Sequence, residues 1–255
     1  MDMESNMYDK VILITGGGRG LGAHMARTFA EQGASVAITY SSSKAQADAL
    51  VEELRTQGGR AIALQHDIAE TRKAPAVIDA VLAEFGRLDM LINNAGIAVQ
   101  GRRVDDVDLE IDEYDRIWHV NVLGTIAITR AAAPKITDGG RIVFIGSMLG
   151  TRVPFAGVAD YAGSKAALVG YSRGIARDLG PRDITVNIIQ PAVMPTDMAA
   201  DVADKLPPRE VILGMQAFPR VAELDEVTGT VAFLASPASA YITGSVIDVT
   251  GGLHI

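Results

Sequence analysis

Two side chains four positions apart, Tyr161 and Lys165, carry the most pointed chemistry in this chain. They follow an apolar run, Arg141-Ile142-Val143-Phe144-Ile145, in a stretch that reads as a helix opening near Tyr161. On such a helix the pair stands one turn apart on one face. A phenol ordinarily ionises near pH ~10. A neighbouring cation favours the phenolate and draws that value toward neutrality. The pair could then give a proton to, or take one from, a carbonyl or alcohol oxygen. Ser147, at the tip of the preceding strand, could hydrogen-bond the same oxygen. A Tyr-x-x-x-Lys match alone arises readily by chance in a chain with six tyrosines, so its weight depends on its surroundings.

Those surroundings alternate strand-like and helix-like segments. Val11-Ile12-Leu13-Ile14 is short, apolar and stopped by Gly16-Gly17-Gly18, which predicts a buried strand. Leu21 to Gln32 has apolar residues at helical spacing and ends at Gly33. Further strands are predicted at Ser35–Tyr40, Ala61–Gln65, Leu88–Ile92, Arg141–Ile145, Ile184–Ile189 and Val246–Val249. The helices between them are expected over Lys44–Gln57, Thr71–Phe85, Asp112–Ile136, Asp160–Leu179 and Asp225–Ala235. Continuous apolar strands alternating with helices imply a parallel sheet covered on both faces. Ligands of such folds gather at the carboxyl ends of the strands. Every chemical motif here falls at such an end.

At 255 residues one α/β domain, residues 1–255, is the simplest reading, with residues 191–219 as a mobile Pro- and Met-rich lid. The net charge of −8 argues against nucleic-acid and anionic-membrane partners. The absence of cysteine excludes thiolate chemistry and disulfides. The four histidines are scattered without ligand spacing, so no metal is expected. The acidic opening, Met1 to Asp9, lacks a secretory pattern, and no apolar run approaches the ~20 residues of a membrane span. A cytoplasmic location is the expectation.

After the first strand comes Thr15-Gly16-Gly17-Gly18-Arg19-Gly20-Leu21-Gly22. Glycines there permit a sharp turn and let N–H groups approach a diphosphate at a helix N-terminus. A carboxylate ending the second strand would bond a ribose 2′-hydroxyl and repel a 2′-phosphate. This chain has Tyr40-Ser41-Ser42-Ser43-Lys44 instead, and Arg19 faces the same region. Hydroxyls with a permanent cation suit a phosphate. Asp67, after the third strand, could accept from an adenine amine, and Asn93-Asn94-Ala95-Gly96 could line the cofactor. Asn121, an amide inside an apolar helix, requires a partner.

Taken together these motifs resemble those of the short-chain dehydrogenase/reductase family, from end to end. The family's TGxxxGxG appears as Thr15 to Gly22, its NNAG as Asn93 to Gly96 and its YxxxK as Tyr161 to Lys165, while its catalytic Asn and Ser match Asn121 and Ser147. Within the family the chain looks like the 3-oxoacyl-carrier-protein reductase branch, which includes ketone reductases and secondary-alcohol dehydrogenases. The resemblance implies one Rossmann-like, doubly wound domain with about seven parallel strands. It assigns Tyr161 as proton donor or acceptor and Lys165 to lowering its pKa and holding the nicotinamide ribose. Ser147 would bind the reacting oxygen, and Asn121 would support a water relay. It also assigns cofactor contacts to Gly16, Arg19, Gly20, Leu21, Gly22, Tyr40, Ser41, Ser42, Asp67, Ile68, Asn94, Ala95, Gly96, Pro191, Val193 and Thr196, and it implies a homotetramer.

The expected activity is NADP(H)-dependent reduction of a largely apolar ketone, reversible to the secondary alcohol. An NAD-dependent dehydrogenase of a polyol or hydroxysteroid is the alternative, and a non-catalytic dinucleotide sensor a remote one. Three departures from the family pattern stand out: Ala192 after Pro191, Thr250 before Gly251-Gly252, and the short link Lys135-Ile136-Thr137-Asp138-Gly139-Gly140. In carrier-protein reductases that link tends to be longer and basic, so an acyl carrier protein is a doubtful partner, although Arg182 could match the other basic contact.

Overall fold

The computed structural model describes residues 7–254; the start of the acidic opening segment and residue 255 lie outside the described residues. The strands are β1 (Val11–Ile14), β2 (Ser35–Tyr40), β3 (Ala61–Gln65), β4 (Met90–Asn93), β5 (Arg141–Ile145), β6 (Thr185–Pro191) and β7 (Val246–Val249). Between them run α1 (Gly20–Glu31), α2 (Lys44–Thr56), α3 (Ala74–Phe85), α4 (Ile111–Ile117), α5 (Thr125–Ala132), α6 (Ala159–Leu179), α7 (Asp197–Ala200), α8 (Arg209–Gly214) and α9 (Leu224–Ala235). All seven strands pair in parallel, in the order β3-β2-β1-β4-β5-β6-β7.

Alternation along the strands divides the core in two. Ile12, Ile14, Val143 and Ile145 face one layer, where they meet Met25 and Phe29 of α1, Leu50 of α2 and Val227 and Val231 of α9. Val11, Leu13, Ile142 and Phe144 face the other, against Val77 and Ile78 of α3, Ile128 of α5 and Leu168 and Val169 of α6. Because both faces are covered, every residue of β1 must be apolar, as the period-2 geometry of a strand requires. The order reverses between β1 and β4, which opens a crevice at their carboxyl ends.

Several predicted boundaries move, each for a local reason. α3 is preceded by a 3₁₀ turn, Thr71–Lys73, and starts at Ala74 because Pro75 belongs in a first helical turn. The single helix expected over Asp112–Ile136 is instead α4, a π-helical turn over Trp118–Gly124, and α5. α5 stops at Ala132 because Pro134 has no N–H with which to continue the helical ladder. β4 begins two residues later than expected, after Asp89, whose carboxylate is bonded to Val11 N and Arg87. β6 runs on to Pro191, bringing Gln190 and Pro191 into register with Asp248 and Val249. The stretch read as a lid contains α7 and α8.

Candidate active site

Ser147, Tyr161, Lys165 and Asn121 all come together at the carboxyl end of the sheet. Gly146 lets the chain leave β5 close to β6; a Cβ there would lie 3.0 Å from Ile188. Ser147 follows in extended conformation and caps a 3₁₀ turn, Met148–Gly150, its Oγ accepting from Leu149 N at 3.2 Å. Tyr161 and Lys165 stand one turn apart on α6, 8 % and 5 % exposed. Lys165 Nζ donates to the Ile145 carbonyl at 3.1 Å and lies 5.7 Å from the centroid of the Tyr161 ring.

Asn121 sits in the π-helical turn, the kind of local widening that commonly marks functional positions. Its amide is fully used: Oδ1 accepts from Ile97 N at 2.9 Å, and Nδ2 donates to Ile97 O and Ser164 Oγ. It therefore fixes the chain after the Asn93–Gly96 turn to α6. Gly96 completes the junction, since a Cβ there would lie 3.2 Å from Asn121 Oδ1 and 3.5 Å from Lys165 Nζ. Gly124 closes the same turn onto Ile68, whose carbonyl oxygen would be 2.3 Å from a Cβ.

The electrostatics correct one expectation. Burial pushes the Tyr161 phenol up to about 12, and the Ser147 hydroxyl pulls the other way. Burial also brings Lys165 down to about 8. The ammonium does not draw the phenol toward neutrality, because desolvation of a buried phenolate is the larger effect and Nζ lies beneath the ring.

The glycine loop occupies the crevice. Thr15 N bonds Ile92 O, Thr15 Oγ1 accepts from Asn94 N and Ala95 N, and Asn94 Nδ2 donates to Thr15 O and Gly16 O. Gly16 has a φ of +64° and Gly20 of +54°, and a Cβ on Gly22 would come within 2.5 Å of Gly16 O. Only glycine permits this cradle. The loop opens directly into α1, whose first N–H groups form an anion site. The residues present thus fit a dinucleotide diphosphate. Thr15 and Ser164 are positioning residues that sequence reasoning passed over; the Thr of the TG pair was a signal available for the first.

The other predicted contacts surround this cradle. Leu21 and Tyr40 are buried beneath it, and Ser41 and Ser42 are exposed at the end of β2. Arg19 reaches Asp197 of α7 at 3.4 Å, and Thr196 lies against Gly20. Thr196 also caps α7 by accepting from Ala199 N. Asp67 is bonded by Arg116 and by Ala69 N; burial pushes its carboxyl up, but these bonds outweigh it and leave it below the usual range. Pro191 ends β6, and Val193 O holds Ala222 N.

Above Tyr161, Met148, Leu149, Val158, Ala162 and Leu253 form a small apolar cluster against Ala98, Phe155, Leu206 and Met215. In the loop before α4, Arg102 pairs with Asp106 and Arg103 with Asp105. Arg182, the one basic residue matching a carrier-protein contact, is held by Asp138 and by the carbonyls of Ala133 and Ile136. Among the described residues no His/Asp/Glu group could hold a metal ion, and no helix is long and apolar enough to cross a membrane.

Residues 16–254 match the family model described as enoyl-(acyl carrier protein) reductase. The chain belongs to the short-chain dehydrogenase/reductase family, a family of NAD(P)-dependent oxidoreductases. It is 40 % identical to a cyclic-di-GMP-binding biofilm dispersal mediator protein of Escherichia coli, over 95 % of this chain and 96 % of that one. It is 35 % identical to a 3-oxoacyl-[acyl-carrier-protein] reductase of Staphylococcus aureus, over 96 % of this chain and 98 % of the relative. A short-chain dehydrogenase from Burkholderia cenocepacia, solved in complex with NADP, superposes with a TM-score of 0.90 at 43 % identity, covering 98 % of this chain and 100 % of that one.

Proposed function

We propose that this family member is an NADP(H)-dependent carbonyl reductase acting reversibly on a largely apolar ketone or secondary alcohol. The observation that carries the reading is the convergence of Ser147, Tyr161 and Lys165 on one buried spot beside the glycine cradle. When bound, the nicotinamide supplies the hydride. Ser147 orients the substrate oxygen, and Tyr161 donates the proton in reduction or takes it in oxidation. Burial keeps Tyr161 in its protonated form, the form that donates in reduction. Asn121 holds Ile97 and α6 in register and supports the relay that returns the proton to Lys165. Gly16, Gly20, Leu21 and Gly22 take the diphosphate; Asp67 and Ile68 flank the adenine; Asn94, Ala95, Gly96, Pro191, Val193 and Thr196 line the ribose and nicotinamide.

NADP(H) is preferred over NAD(H) because Arg19, Ser41 and Ser42 offer donors where no acid ends β2. Support comes from the Burkholderia relative, which was solved with NADP. The substrate is a free small molecule, since Arg182 is tied to its own backbone and Asp138. Residues 191–219 act as its lid. The exposed face of α6, with Ala166, Gly170 and Gly174 one turn apart, supports a homotetramer in which this helix meets its copy.

NADPH consumption with a panel of alkyl and aryl ketones tests the reading; oxidation of sugar-like polyols in preference to all of them would overturn it. A dinucleotide sensor would bind without turnover in every arm.

A further inference from the structure

The last described residues pack against the site. Leu253 is fully buried in the apolar cluster that includes Met148 and Tyr161. The carbonyl of Gly251 accepts from Phe218 N at 2.9 Å, which stitches the tail to the end of the lid. His254 then places its ring between two elements: Nδ1 lies 2.9 Å from Asp248 Oδ2 on β7, and Nε2 lies 3.2 Å from the Met148 carbonyl. Neither acceptor carries a hydrogen. Thr151 Oγ1, 3.5 Å from Nε2, directs its own hydrogen to Gln190 Oε1 at 2.8 Å. A ring with protons on both nitrogens satisfies all of these contacts, whereas a neutral ring leaves one lone pair facing an oxygen.

The Met148 carbonyl matters because it closes the 3₁₀ turn that Ser147 caps; it also accepts from Thr151 N and Arg152 N. We propose that His254 is a positioning residue for Ser147, clamping this turn to β7 through its two ring N–H groups. The inference rests on the reading of Ser147 as the group that orients the substrate oxygen. Asp248 on β7 pairs with the ring, Arg152 lies in the Ser147 loop, Tyr161 and Lys165 lie on α6, and Arg220 lies beyond the lid. Arg220 is engaged by Glu226 and Lys165 by Ile145 O. Asp248 is the ion-pair partner of His254 among the described residues. Without the clamp the Met148–Gly150 turn is held on one side only, and Ser147 is then less firmly aimed.

The test combines His254→Ala, His254→Lys and Asp248→Asn with ketone reduction. The alanine variant should lose about five- to tenfold in kcat, with the KM for NADPH unchanged. Lysine, which brings N–H donors to the same acceptors, should restore most of kcat. Wild-type kcat in the alanine variant would overturn the clamp, and so would a loss that lysine does not repair. Proton–nitrogen spectra of the unmodified protein judge the clamp without any turnover. Both ring N–H protons of His254 should exchange slowly with water, and in Asp248→Asn they should exchange fast. Fast exchange in the unmodified protein overturns the clamp even if ketones are reduced; slow exchange with no ketone reduced sinks the reductase reading alone.

Discussion

At the reacting end of the crevice Lys165 is 5 % exposed and burial brings its pKa to about 8. At the ribose end the Arg19 side chain is 59 % exposed, and its ion pair with Asp197 spans 3.4 Å. One cation is held where water cannot screen it, and the other where water nearly can. Electrostatic effects in the buried end are therefore large and hard to compensate. Those at the exposed end are small, salt-sensitive and easily traded. On the proposed reading chemistry is fixed by burial, and cofactor choice is set by a few weak surface contacts.

The largest expected effect tests the buried end. Tyr161→Phe removes the proton donor and leaves the ring packed in its cluster. Turnover should fall by at least about a hundredfold, since general acid catalysis contributes 10²–10⁴-fold. NADPH affinity, read by fluorescence titration, should hold. A variant keeping more than about a hundredth of wild-type kcat would break the contrast at its stronger side.

Lys165→Met sharpens the same point through stability. The native lysine is depressed and the unfolded one is not, so the unfolded chain binds more protons between pH of about 8 and about 10.5. Stability from this group therefore rises with pH across that window, and the cost of burying the charge is fully present below it. A methionine of similar length removes the charge. Activity should be lost while the urea midpoint at neutral pH rises, reflecting a gain in unfolding free energy on the order of 3 kcal/mol. The gain should shrink as pH is raised through the window. A lowered midpoint would mean that the bond to Ile145 O outweighs the burial cost.

The same contrast explains what the sequence could tell. The strands and the meeting of Tyr161 with Lys165 were legible because they depend on local pattern: the apolar runs set the sheet, and the pair needed only helical spacing. The break in the helix at Trp118–Gly124 was not legible, because it is made by partners far away in the chain. Asn121 must reach Ile97 and Ser164, and Gly124 must approach Ile68 O. The direction of the Tyr161 shift was also hidden, since desolvation depends on what covers the phenol. Arg19 was assigned to a phosphate by its place in the glycine loop, but its partner Asp197 lies 178 positions away.

Arg19→Ala tests the exposed end. Removing the guanidinium should raise the KM for NADPH about tenfold, less than a buried charge-assisted pair would give. The KM for NADH and both kcat values should change little. Tyr40→Asp should go further and favour NADH, by supplying a ribose acceptor where the phosphate would sit. Equal kcat/KM for the two cofactors in the unmodified protein would remove Arg19 from this role.

The smallest effect is the most specific. Asp197 and a ribose 2′-phosphate are alternative partners for one guanidinium, so each weakens the other's hold. Both side chains of the pair are more than half exposed, so the competition is worth little. Asp197→Asn should therefore tighten NADPH binding by only about two- to threefold, leaving NADH unchanged. The difference should vanish in about 1 M salt, where the screening length is near 3 Å. Thr196 is untouched by the substitution and still caps α7, so the turn against Gly20 keeps its place. If the variant instead binds NADPH more weakly, Asp197 orients Arg19 toward the phosphate and does not compete with it. The exposed end would then be as firmly organised as the buried one.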